Sequence, residues 1–212
     1  MFGISQRKLN DAMTQRANRI HALTNTLSGV AGEARVAAEF IRCGYKIAKP
    51  YWNDDEIDLL LLHPINTGEF MPIKIQVKSV QFLKTDKSIP IQGLKKRYLC
   101  KSPNLGLAVY LPEKDDIYFV DGAEKIRGLY QDQTAQNKRR TSFDNLKDEQ
   151  DVRIRVDSNS GLGSEWLVDR STPTWLTERV KRLIASVEKT YPLAPCVEQL
   201  LGADSADEEH EE

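Results

Sequence analysis

Seven consecutive residues, Ile73-Lys74-Ile75-Gln76-Val77-Lys78-Ser79, alternate between apolar and polar side chains. Successive side chains of a strand point to opposite faces, so this pattern predicts a strand from about Met71 to Val80 with one apolar and one polar face. Upstream, Ile57-Asp58-Leu59-Leu60-Leu61-Leu62 is apolar almost throughout, as in a strand buried on both faces. Asp58 opens that run on the face of Leu60 and Leu62, where a carboxylate needs a partner because burying an unpaired charge is costly. Between the two runs, His63-Pro64-Ile65-Asn66-Thr67-Gly68 carries the residues of a hairpin loop. Antiparallel pairing would then set Asp58 beside the end of the next strand, where Gln76 and Lys78 lie.

Upstream of these strands the chain reads as helical. Leu9, Met13, Ile20, Leu23 and Leu27 recur near a seven-residue spacing interrupted by Arg16. That repeat suits a helix over 1–28 laid on the main body, with a homodimer contact as the alternative. Ser28-Gly29 punctuates, with Ser28 as a cap, and a second helix is expected from about Val30 to Arg42. Gly44 closes it. Glu33, Val36, Ala37, Phe40 and Ile41 share one face of this helix, so Glu33 points inward or along a rim. Arg35 and Glu39 lie off that face and read as solvated. Tyr45 to Ala48 is a short strand candidate, followed by a polar turn from Lys49 to Glu56.

Downstream, Ile91, Leu94, Tyr98 and Leu99 suggest a helix with an apolar stripe, which would leave Lys95, Lys96 and Arg97 on an open face near Lys84 and Lys87. Such a face could hold phosphates. Gly106–Leu111 and Asp116–Val120 read as two strands and Ala123–Leu129 as a short helix. Residues 131–150 are polar and are expected to form a mobile loop, with Lys138-Arg139-Arg140 inside it. Val152–Val156 and Trp166–Val168 suggest an edge hairpin. Pro173 opens a last helix to about Lys189, with Trp175, Val180, Leu183, Ile184 and Val187 facing in. Residues 203–212 form an acidic, disordered tail. The expected organisation is therefore an N-terminal helix over 1–28, a core over 29–130, and a 131–202 segment packing on that core.

The charge balance looks neutral, but the tail Ala203–Glu212 holds six acids. With those set aside, 25 of the 31 acids remain against 30 Lys and Arg, a net of about +5 with His neutral. A mildly basic body is compatible with nucleic acid. No run approaches the ~18 apolar residues of a membrane span, and Met1–Asn10 lacks the core of a signal peptide. Three widely spaced cysteines, Cys43, Cys100 and Cys196, fit neither a disulfide framework nor a zinc site. These features suit a cytoplasmic protein.

Taken together, Glu33, Asp58 and Gln76 offer hard oxygen ligands for a cation such as Mg2+ or Mn2+, which binds few protein groups and keeps several waters. Lys78 beside it could orient or deprotonate a water and steady charge building on phosphorus. Gly32-Glu33-Ala34, Ile57-Asp58-Leu59 and Gln76-Val77-Lys78 resemble, in that order, the PD-(D/E)XK nuclease superfamily, closest to its Holliday-junction resolvases and intron-associated endonucleases. The resemblance covers roughly residues 28–120. It implies a restriction-endonuclease-like α/β fold with an αβββαβ core and a mixed central sheet, and Mg2+ or Mn2+ as cofactor. It also implies a metal-dependent endonuclease hydrolysing DNA phosphodiester bonds. On that match Glu33, Asp58 and Gln76 are metal ligands and Lys78 is the catalytic lysine. Two departures stand out. No proline immediately precedes Asp58, and Gln76 replaces the usual acid, which removes one negative charge. The alternative is accordingly a nuclease-fold protein that binds nucleic acid or serves assembly without turnover. The metal-binding residues do not themselves distinguish DNA from RNA.

Overall fold

The structure, a computed structural model, describes residue 14 and residues 26–50, 57–66, 69–136, 141–172 and 174–190. A five-stranded mixed sheet is its centre. The strands are β1 (Lys46–Ala48), β2 (Leu59–Asn66), β3 (Glu69–Ser79), β5 (Leu105–Leu111) and β6 (Asp116–Asp121), side by side in that order. Neighbours pair antiparallel except β3 and β5, which run parallel. A parallel pair needs a crossover. Here it holds a three-residue strand β4 (Ser88–Pro90) and the helix α2 (Lys96–Lys101). β4 pairs with β7 (Arg155–Asp157) as a separate small sheet.

Each face of the large sheet is covered. On one face, Leu59, Leu61, Ile73, Ile75, Val77 and Phe119 pack under Val36 and Phe40 of helix α1 (26–42) and Leu176, Val180 and Leu183 of α4 (Thr174–Thr190). Phe40 meets Phe119 edge-on at 5.4 Å between ring centroids. Leu105, Leu107, Val109 and Val120 face the other way. They pack with Tyr98 and Leu99 of α2, Ile126 and Tyr130 of α3 (Ala123–Ala135), and the segment carrying Phe143, Val152, Ile154 and Val156. The alternation read in Ile73–Ser79 is therefore real, and its polar face carries Lys74, Gln76 and Lys78 beside Leu105, Leu107 and Val109 of β5.

Several expectations give way. The helix expected from Val30 is already running at position 26 and passes through Ser28 and Gly29 without a break. Ser28 does not cap a new start there; its hydroxyl lies 3.2 Å from that of Ser79. His63–Asn66 belong to β2 rather than to a loop, with the register shifting between Pro64 and Asn66. Ile41 is exposed, whereas Glu39, expected in solvent, is only 3% exposed. Its carboxylate accepts hydrogen bonds from Arg35 at 3.2 Å and Arg42 at 2.9 Å, and Arg170 lies 3.6 Å away. Arg35 is not solvated surface either, since it also bonds Asp115 in the β5–β6 turn.

The helix expected across 91–99 is confined to Lys96–Lys101, because Ile91 and Leu94 reach the core from extended backbone interrupted by Gly93 at φ +72°. Residues 131–135 continue α3, and Phe143 and Leu146 are buried, so 131–150 is not wholly a mobile loop. Lys138-Arg139-Arg140 lies outside the described residues. The expected edge hairpin does not form: Arg155–Asp157 pairs with β4, and Leu167 bridges to Tyr118. The 1–25 repeat and the acidic tail, apart from Thr14, also fall outside the described residues. Among the described residues, no helix is long and apolar enough to cross a membrane.

Candidate active site

The residues singled out in the sequence lie around the C-terminal end of β3. Asp58 sits immediately before β2, and its backbone N–H donates to the Ile75 carbonyl at 3.0 Å, so the pairing of β2 with β3 carries on through it. Its carboxylate in turn accepts from the Val77 N–H at 2.6 Å. Burial pushes the Asp58 carboxyl above its ordinary value; the Val77 N–H and the Lys78 charge oppose this, Glu33 adds to it, and Lys49 opposes it. Asp58 thus lies within electrostatic reach of Lys78, Glu33 and Lys49.

Glu33 reaches this place because α1 crosses close over the end of β3. A Cβ on Gly32 would come within 3.0 Å of the Ser79 Cβ, so the small residue permits the approach. The Glu33 carboxylate accepts a hydrogen bond from the Lys49 ammonium at 2.6 Å, with the lysine still 65% exposed.

Gln76 is buried, and its amide nitrogen donates to the Gly93 carbonyl at 3.4 Å. The same glycine governs Lys78: a Cβ there would stand 3.3 Å from the Lys78 ammonium nitrogen. Its N–H donates to Asp151 at 3.3 Å, and Asp151 is ion-paired with Lys95 at 2.7 Å. Gly93 therefore ties Gln76, Lys78 and the crossover segment into one unit.

The donor set suits a hard divalent cation. Glu33 and Asp58 supply carboxylate oxygens and Gln76 a carboxamide oxygen, few protein ligands but enough for a metal that keeps its waters. The acid count is small, however: among the described residues no three His, Cys, Asp or Glu side chains group as a metal site. Asp54, Asp55 and Glu56, which precede Asp58 in the sequence, lie outside the described residues.

The five basic residues expected on an open phosphate-holding face divide. Lys95 pairs with Asp151, Lys96 donates to the Asp144 and Leu146 carbonyls at 3.0 and 2.8 Å, and Arg97 pairs with Glu149 at 2.6 Å. These three hold α2 to the 144–151 segment. Lys84 and Lys87 are exposed, on the loop that leaves β3. Sequence reasoning missed Lys49 and Gly93. Lys49 carries no periodic signal, and the clue to Gly93 was a glycine inside a stretch read as helix.

No protein-family model matches the chain, and no curated protein matches it. Among solved structures, it is similar to a bacterial homing endonuclease, I-Ssp6803I, at 15% identity and a TM-score of 0.35, over 47% of this chain and 70% of that one. At that distance the likeness decides neither site nor activity.

Proposed function

We propose that the protein is a metal-dependent endonuclease that hydrolyses phosphodiester bonds of DNA at the end of β3. The observation that carries this reading is the setting of Asp58: a half-buried carboxylate that accepts the Val77 N–H at 2.6 Å, next to Lys78 on the same strand end, with the charges of Lys78, Glu33 and Lys49 acting on it. Glu33 and Asp58 would hold Mg2+ or Mn2+ through carboxylate oxygens, and Gln76 through its carbonyl. Bound there, the metal supplies Lewis-acid polarisation of a phosphate oxygen and a more acidic water. The Val77 N–H fixes the orientation of Asp58. Lys78, lying against Gly93, would orient the attacking water and, as its neutral amine, take the water's proton; the ammonium so formed would balance charge developing on the phosphate. Lys84 and Lys87 would contact the flanking backbone as point charges.

The test is incubation of the purified chain with duplex, single-stranded and branched DNA, and with RNA, each with Mn2+, Mg2+ or chelator. Cleavage should require metal and should vanish in Asp58→Ala and in Lys78→Ala, both still folded by circular dichroism. Undiminished cleavage by both variants would remove these residues from the mechanism.

A second reading, a nucleic-acid-binding or assembly module without turnover, draws on Gln76 and on the Lys49–Glu33 ion pair, both of which lower the pull of the site on a cation. It calls for salt-sensitive binding without metal-dependent products.

A further inference from the structure

Five residues beyond Lys78, the chain presents a leucine to solvent on a braced turn. Leu83 is 71% exposed. The turn around Lys84 and Thr85 is closed twice: the Asp86 N–H donates to the Leu83 carbonyl at 2.9 Å, and the Leu83 N–H donates to the Asp86 carboxylate at 3.0 Å. Both ends of the loop are fixed as well. Before the turn, the Val80 N–H donates to Tyr110 at 2.9 Å and the Phe82 N–H to Glu113 at 3.0 Å. After it, the Lys87 carbonyl accepts from the Ser158 N–H at 2.9 Å. Phe82 before it packs partly against the core, and after it Lys84, Thr85 and Lys87 are exposed. At the foot of the loop lies a cleft of about 320 Å³ whose lining includes Lys78, Ser79, Gln81 and Gln92.

We infer that Leu83 is a wedge that enters the base stack of duplex DNA while Lys84 and Lys87 hold the adjoining phosphates. An apolar side chain between base pairs unstacks a step and kinks the duplex, and the exposed bases supply the apolar surroundings that the side chain lacks in water. The braced turn presents the side chain at little ordering cost. Two lysines on the same loop give the attraction to backbone that such insertion needs. The Lys78 cleft at its foot sets the kink beside the candidate catalytic lysine. The inference rests on the nucleic-acid reading above, but it concerns binding rather than hydrolysis, so the two fail separately.

The test is equilibrium binding of the full chain to a fluorescein-labelled mixed-sequence duplex in chelator, by anisotropy, with a parallel duplex carrying 2-aminopurine. Leu83→Ala should weaken duplex binding about tenfold, with the salt dependence unchanged because no charge is lost. Leu83→Met should stay close to the parent. Lys84→Ala should instead lower the salt slope by about one. The parent should raise 2-aminopurine fluorescence on binding, and Leu83→Ala should not. Duplex affinity within twofold of the parent in Leu83→Ala, or a silent 2-aminopurine signal with the parent, overturns the wedge, and metal-dependent cleavage would survive that result. A parent chain that binds no duplex overturns the wedge, and the hydrolytic reading then stands or falls on metal-dependent cleavage of the substrates above. Leucine-dependent binding without cleavage under any metal upholds the wedge and overturns the hydrolytic assignment.

Discussion

Replacing Glu39 with alanine should destabilise the protein through loss of one buried negative charge. Its carboxylate is 3% exposed, and three guanidiniums surround it, those of Arg35, Arg42 and Arg170. Breaking a fully buried pair costs about 3–5 kcal/mol. Here the arginines are 28%, 43% and 37% exposed, so water regains part of their solvation and the cost falls to about 2–3 kcal/mol. For a chain of this size that corresponds to a drop in Tm of roughly 5–10 °C. Glu39→Gln keeps shape and an acceptor and should lose about half as much. Urea unfolding checks this, with the midpoint falling and the slope unchanged.

Acid should act on the same cluster. Burial alone would raise the Glu39 carboxyl, but hydrogen bonds from Arg42 and Arg35 and the Arg170 charge outweigh it and leave it below its ordinary 4.5. Arg35 above all, with Arg170, holds Asp115 well below its ordinary 3.8. For an acid lowered on folding, the added stability is complete above the unfolded value and is lost as pH falls through the folded one. The cluster's contribution should therefore start to decline below about pH 4.5, and Glu39→Gln should flatten the upper part of that decline. A Glu39→Ala protein within about 0.5 kcal/mol of the parent would show that the arginines are satisfied by water alone.

Lys49→Met should tighten Mn2+ binding about two- to fivefold, because a half-exposed ion pair is worth about 0.5–1 kcal/mol and the metal would no longer displace an ammonium from Glu33. Calorimetric titration with Mn2+ checks it, and unchanged or weaker affinity would mean that Lys49 does not compete. Gly106→Ala should cost about 1–3 kcal/mol, since its Cβ would lie 2.8 Å from a Phe119 ring carbon and 2.9 Å from the Ile75 Cδ1. Thermal unfolding reads that loss, and an unmoved Tm would mean that the ring slides aside.

What the sequence made legible was whatever depends on near neighbours. The period of two in Ile73–Ser79 and the long apolar run before it announced β3 and β2 and the side from which Gln76 and Lys78 project. The apolar spacing of Val180, Leu183 and Ile184 announced α4. Long-range partners decided the rest. Ser28-Gly29 reads as a helix stop because both residues favour caps and turns, yet the serine is drawn to Ser79, fifty-one positions away. Glu39 reads as surface until Arg170 arrives from the far end of the chain. β4 and β7 are three residues each and have no pattern of their own; they are strands only because they pair.

Gly93 belongs to that second kind, and a substitution there tests how far the candidate site depends on it. Alanine at φ +72° costs about 1–2 kcal/mol of backbone strain. Its methyl would also stand 3.3 Å from the Lys78 ammonium nitrogen, close enough to displace the amine by a few tenths of an ångström. The Gln76 amide, bonded to the Gly93 carbonyl, would move with any backbone relaxation. Catalysis is more sensitive to such shifts than stability is, because a reacting group misplaced by about 1 Å can lose about a hundredfold in rate. Gly93→Ala should therefore stay folded with a modestly lower Tm while kcat for metal-dependent cleavage falls about tenfold or more and KM changes little. Were the variant to cleave at the parental rate despite the lower Tm, Lys78 could not be acting from the position that Gly93 gives it, and the proton transfer would have to be assigned to another group near Asp58.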